Sequence, residues 1–266
     1  MKLTAEQIHS NYEKFINRID KIFKPDRSES LKKMYSDLEE RLTFSPASSF
    51  AHFHNAFPGG YVDHILRVMD FSLLLHEQWK TAGLKSDNYT KEELLFAAMH
   101  HDLGKLGMPG EGGDGYVLNK SEWHRKNQGK EFEVNENLPH ALIQDRSIFL
   151  LQYYGIKMSW NEFLTIRIHD GVYDDANKQY YISFNLNSKL RNNMPVIVHH
   201  ADMMASRFEF ERWAIQNNAF NMDSVESSNF SKGNQKVDAE SKIISKKESI
   251  SNEVFNTFAQ TFGTTK

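Results

Sequence analysis

In segment after segment of this chain, apolar residues recur three and four positions apart, the period of an α-helix with one buried face. Ile8, Tyr12, Phe15, Ile16, Ile19 and Phe23 do so behind Thr4 and Gln7, which resemble a capping box. Leu31, Met34, Tyr35, Leu38 and Leu42 form a second face that ends near Pro46. After a break at Pro58, Gly59 and Gly60, the pattern resumes with Tyr61, His64, Ile65, Val68, Ser72 and Leu75. Residues 91–103, rich in Leu and Ala, predict a short helix that stops at Gly104. Further helices are predicted over about 139–154, 159–169 and 194–216, the last beginning near Pro195. Two stretches depart from this period. Residues 104–135 predict a long loop with a short hairpin, and the segment from Asp170 to Ile182 predicts a hairpin or ordered loop. The expected fold class is mainly α, a helical bundle with small hairpin or loop insertions.

The chain has 266 residues, 39% of them apolar, enough for one substantial core or for a core domain with an appendage. The expected organisation is a pair of N-terminal helices over 1–47 packed on a central domain over 48–221. A polar linker over 222–250 follows, where eight serines lie between Ser224 and Ser251. In the last segment, 251–266, Val254, Phe255, Phe258 and Phe262 are spaced to share a helical face. Such a face suits docking on the chain's own core, on a second copy, or on a partner's groove.

Charge and composition narrow the chemistry. With 32 basic and 35 acidic residues, the chain lacks the basic excess of a protein that relies on bulk attraction to nucleic acid. There is no cysteine, which removes disulfides, thiolate zinc sites, iron–sulfur clusters and thiol nucleophiles together. Any metal must therefore be held by nitrogen and oxygen. The first residues carry charge throughout, and no apolar run reaches the roughly twenty residues of a membrane span. The expectation is a soluble, cytoplasmic protein.

Histidine is the residue type that remains, and it is concentrated. Eleven of the twelve histidines lie between His52 and His200. In AAMHHDLGK, small and apolar residues precede His101 and Asp102, placing both at the inner end of a buried helix. An unpaired carboxylate there costs several kcal/mol, and a divalent cation removes that cost. A lone His-Asp pair also serves as a helix cap. Here it has company: His64 interrupts one apolar helical stripe and Asp202, in VIVHHADMMASR, interrupts another.

His64 in PGGYVDHILRV, His101 and Asp102 in HHDLGK, and Asp202 in HHADMMASR together resemble the HD-domain superfamily of metal-dependent phosphohydrolases, over about residues 50–215. The resemblance implies a bundle of α-helices in which these four residues hold a metal. His140 in NLPHALIQDRS and His169 in RIHDG fall where two-metal members carry additional histidines. The implied cofactor is then a pair of divalent ions (manganese, iron, magnesium, cobalt or nickel) on His64, His101, Asp102, His140, His169 and Asp202, with Asp102 bridging. Read singly, His140 also suits a helix cap beside Pro139, and His169 a helix end before Gly171.

Two cations ~3.5–4 Å apart can supply hydroxide near neutral pH and neutralise a phosphoryl group, so few acid–base side chains are needed. Asp102 and Lys105 are the expected catalytic pair, the matching lysine of the family lying near substrate phosphate. Arg146 and Arg207 are candidate phosphate ligands, with surface ion pairing as the alternative for both. Trp123, His124 and Arg125 in the long loop, and Tyr173 and Tyr181 beyond His169, are candidates to cover a substrate or to pack their own loops. His52, His54, His100, His199 and His200 are read as supporting or core residues. The expected activity is hydrolysis of a phosphoester or phosphoanhydride in a nucleotide or similar small phosphorylated metabolite. A di-iron oxygenase and a single-strand nuclease are the alternatives, so a nucleic-acid partner is the less favoured one.

Overall fold

Three of the helices begin at a capping box that satisfies their first free amides. The computed structural model describes residues 2–85 and 88–219, so the expected linker over 222–250 and segment over 251–266 lie outside the described residues. Helix α1 (Ala5–Ile22) starts behind Thr4, whose hydroxyl accepts from the Gln7 amide while the Gln7 side chain accepts from Thr4 N–H. This is the expected capping box. Helices α2 (Pro25–Asp37) and α3 (Glu39–Phe44) divide what reads as one amphipathic stretch; the backbone leaves the helical region at Leu38. Helix α4 (Gly60–Thr81) follows Gly59, whose φ of +77° strongly favours glycine.

Helix α5 (Lys91–His100) has a Thr90–Glu93 capping box and buries every residue from Leu94 to His100, as a helix enclosed on all sides must. It stops three residues before the expected end, and Leu103–Leu106 forms a tighter 3-10 turn that contains Gly104. Packing decides this: a Cβ on Gly104 would lie 2.2 Å from the Ile143 carbonyl oxygen. Strands β1 (Tyr116–Leu118) and β2 (Phe132–Val134) pair antiparallel with Val117 opposite Glu133. The expected hairpin is present, but helix α6 (Glu122–Gln128), capped by Ser121, fills its connection.

Helix α7 (Ile143–Tyr153) begins four residues later than expected and leaves His140 in the preceding extended segment. Helix α8 (Trp160–Arg167) opens on a Ser159–Glu162 capping box. From Gly171 the chain makes 3-10 turns and the short helix α9 (Lys178–Tyr181), so the ordered-loop expectation describes it and a hairpin does not. Helix α10 (Met194–Gln216) has Pro195 in its first turn, where a missing amide costs nothing.

The fold is mainly α, as the periodicity predicts. Phe15, Ile19, Leu31, Met34, Tyr35 and Leu42 share one core with Ile65 and Val68 of α4, Phe96 and Met99 of α5, and Ile197 and Ala201 of α10. Each large side chain buried in it contributes ~1.5–3 kcal/mol. Among the described residues, no helix is long and apolar enough to cross a membrane. Helices α4 and α10 pack on one another and both touch α5, which brings His64, His101–Asp102 and Asp202 to the same end of the bundle.

Candidate metal centre

Three imidazoles converge at that end, and each is held by the same device. The Nδ1 of His101 lies 2.9 Å from the Ala98 carbonyl, and that of His169 lies 2.9 Å from the Ile166 carbonyl. The Nδ1 of His64 lies 3.1 Å from the buried carboxylate of Glu209. An acceptor at Nδ1 puts the neutral ring's proton there and leaves the Nε2 lone pair free to bind.

All three Nε2 atoms point at Asp102 or Asp202. That of His64 is 3.1 Å from Asp202 Oδ1 and 3.8 Å from Asp102 Oδ2. That of His101 is 3.4 Å from Asp102 Oδ2 and 3.8 Å from Asp202 Oδ1. His169 faces the other oxygen of Asp102, with its Nε2 3.8 Å from Oδ1. The Nε2 atoms of His64 and His101 are buried and make no hydrogen bond. Ligand atoms bound ~2.1 Å from one ion sit ~3–3.5 Å apart, and these groups already approach that spacing. The sets His64–His101–Asp202 and His101–Asp102–His169 can therefore each hold a metal ion. Neutral imidazole with carboxylate suits a divalent metal cation.

The electrostatics agree with this reading. Burial opposes ionisation of Asp102, yet Lys105 and His101 outweigh it and hold the carboxyl well below its usual range. Asp202 is half-buried, and the neighbouring His64 and His101 hold it below the ordinary value. Burial alone would depress His64, but Glu209 and Asp202 push it up to about 10. Burial similarly opposes protonation of His101, and Asp102 overcomes it and raises the imidazole. A field that favours a proton on these rings favours a cation between them once the protons leave. Burial and the Lys105 charge depress His54, at the rim of the centre, to about 3.

Glu209 is a support that the sequence expectations do not include. It is buried on α10, two turns beyond Asp202, and accepts from Arg67 at 2.7 Å as well as facing His64. Arg67 in turn bonds Asp63 at 3.0 Å, and Asp63 accepts from Asn55. The seven-residue spacing from Asp202 is the signal that finds it, because seven residues return to the same helix face. His199 is a second support: its Nδ1 lies 2.9 Å from the His169 carbonyl oxygen.

The centre forms the floor of a cleft of about 720 Å³. Of the expected residues, Asp102, Lys105, His169, Tyr173, Asp202 and Arg207 line it. Lys105 Nζ lies 2.6 Å from Asp102 Oδ2 and donates to the Ala47 carbonyl at 2.7 Å. Arg207 stands exposed at the mouth with no ion pair among the described residues, and Tyr173 is 72% exposed.

Other expected residues go elsewhere. Arg146 is buried, donating to the carbonyls of Gly104 and Pro139 at 3.3 and 3.2 Å, so it clamps the His-Asp turn onto α7. Ser147 completes that clamp by accepting from Gly104 N–H at 2.7 Å. His140 is exposed and belongs to none of the close donor groups among the described residues. Trp123, 60% exposed on α6, and Arg125 beside it do not line the cleft. The Tyr181 hydroxyl is spent on the carbonyls of Ile168 and Pro195, at 3.0 and 3.3 Å.

Comparisons of the chain with protein-family models, with curated proteins and with solved structures find no match.

Proposed function

We propose that this chain is a metal-dependent phosphohydrolase of the HD type, acting on a phosphoester or phosphoanhydride in a nucleotide or similar small phosphorylated metabolite. The observation that carries the reading is the convergence of three Nδ1-anchored imidazoles on Asp102 and Asp202 at the floor of a cleft that Lys105 and Arg207 also line. Two divalent ions, held by His64, His101, Asp102, His169 and Asp202, would polarise a phosphoryl oxygen and make a bound water acidic enough to attack.

The chain's own groups prepare the rest. Glu209 and the carbonyls of Ala98 and Ile166 hold the imidazoles in their binding tautomer. Lys105 orients Asp102 and retains one ammonium proton for a phosphate oxygen beyond its two present partners. Arg207 meets the phosphate at the mouth with a planar fork, and Tyr173 offers a ring face for a base. The cleft volume falls within the ~300–1,000 Å³ range of small-ligand pockets. Ser206, a hydroxyl lining the cleft, donates to the Met203 carbonyl at 3.0 Å and has no assigned base, which supports water as the nucleophile.

The test is a release assay on the full chain loaded with manganese, over a panel of nucleotides that includes cyclic ones. Release of phosphate, pyrophosphate or triphosphate is expected from at least one. No release from any of them, or substrate-dependent oxygen uptake by the iron-loaded protein, would overturn the reading.

A further inference from the structure

We infer that Asp170 completes the outer of the two cation positions together with His169 and Asp102, in the role that the family resemblance gives to His140. The inference rests on the metal-dependent reading above and deepens it.

The two oxygens of Asp102 look in different directions. Oδ2 faces His101, His64 and Lys105, while Oδ1 faces His169. The inner side has Asp202 as a further donor, 3.1 Å from His64 Nε2. On the outer side, His169 Nε2 has a second carboxylate beside it: Asp170 Oδ1, at 3.5 Å. His169 is itself 2% exposed, its Nε2 makes no hydrogen bond among the described residues, and it lines the cleft with Asp170.

The alternative donors do not reach His169. His140 is exposed and forms no ion pair among the described residues, whereas Asp170, though likewise outside the tightest donor groups, stands beside His169 Nε2. Asp174 also lines the cleft, but its Oδ1 accepts from the Ala176 amide at 2.9 Å, capping the turn there. The Asp170 carboxylate accepts no hydrogen bond among the described residues, and its ion-pair partner there is His169.

The turn that presents Asp170 is pinned. Gly171 donates its amide to the Ile168 carbonyl at 2.9 Å, and His199 and Tyr181 hold the carbonyls of His169 and Ile168. Gly171 has φ +58°, and a Cβ there would lie 2.4 Å from the His199 ring, so the turn sits directly on α10. The His169–Asp170 pair is thus presented from a fixed backbone, as a cation site requires. With its side chain 44% exposed, Asp170 leaves the outer position open to water and to a phosphate oxygen.

The test counts manganese per chain by elemental analysis and calorimetry on the full chain, for wild type, Asp170→Asn, Asp170→Ala and His140→Ala. Two ions are expected in wild type and in His140→Ala. Both Asp170 variants should keep the first ion and bind the second at least about tenfold more weakly. Their metal-free melting should match wild type, because no hydrogen bond to the carboxylate is lost. Two ions bound with unchanged affinity in the Asp170 variants, or loss of one in His140→Ala, would overturn the inference and leave the metal-dependent reading standing. One ion in wild type would do the same, whereas none would remove both.

Discussion

Two acidic clusters lie against this helical bundle, each beside a cavity of similar size, and only one of them calls for a ligand. At the first, Glu162 is 1% exposed and takes both Arg27 guanidinium nitrogens, at 2.8 and 2.7 Å, plus the Ser159 amide at 2.8 Å. Arg27 also lies 3.7 Å over the Phe96 ring and reaches Glu92 at 3.3 Å. Burial pushes the Glu162 carboxyl up, and Arg27 limits the rise. At the second, Lys105 pairs with Asp102 at 2.6 Å and forms no ion pair with Asp202 among the described residues, and the facing Nε2 atoms of His64 and His101 make no hydrogen bond. The adjoining cavities measure about 670 and 720 Å³, so volume does not separate them. Satisfaction does. A buried carboxylate whose oxygens are all engaged is a strut, whereas carboxylates facing orphaned nitrogens form a binding centre.

Five substitutions break or sharpen that contrast. The largest effect is expected from Asp102→Ala, which removes the residue facing all three imidazoles. Turnover should fall roughly 10³-fold or more in initial-rate assays, each tenfold being ~1.4 kcal/mol of barrier. Manganese is expected to raise the melting temperature of wild type, and that rise should vanish with it. Activity within tenfold of wild type would erase the distinction.

Arg27→Ala should do the opposite, costing about 3 kcal/mol in urea unfolding because it strands the buried Glu162. Metal content per folded chain should not change, and a loss of metal would show that the two clusters are coupled through α5. Glu209→Gln keeps an acceptor for His64 but removes its charge. Competition with a chelator should then find metal affinity reduced ~10–100-fold. The smallest effect falls to Arg207→Ala, expected to raise KM about tenfold with kcat little changed. Arg146→Ala, by contrast, should lower the melting temperature and leave the Arg207-dependent KM in place, since Arg146 is bonded to backbone at Gly104 and Pro139. A KM effect from Arg146 larger than that from Arg207 would reverse their roles.

Much of the fold is legible in the amino-acid order, since a helix is written within a few residues of itself. The Thr4–Gln7 box, the apolar stripe through Tyr61, Ile65 and Val68, and the start of α10 near Pro195 are all local signals. His64, His101–Asp102 and Asp202 are legible for the same reason, each being polar where the local period calls for an apolar residue. What misleads is also local. The glycine-rich surroundings of Trp123 and Arg125 suggest a covering loop, yet Ser121 starts a helix whose position does not line the cleft.

By itself, then, the sequence determined which segments are helical and which buried positions are polar, because periodicity and capping act over one or two turns. Only the tertiary structure decided which of those polar groups meet. Whether Glu209 backs His64, whether Arg146 clamps a turn or reaches the cleft, and whether His140 or Asp170 stands beside His169 depend on how α4, α5, α7, α8 and α10 pack. Such distances are set by side chains far apart in the chain, through contacts that no local pattern encodes.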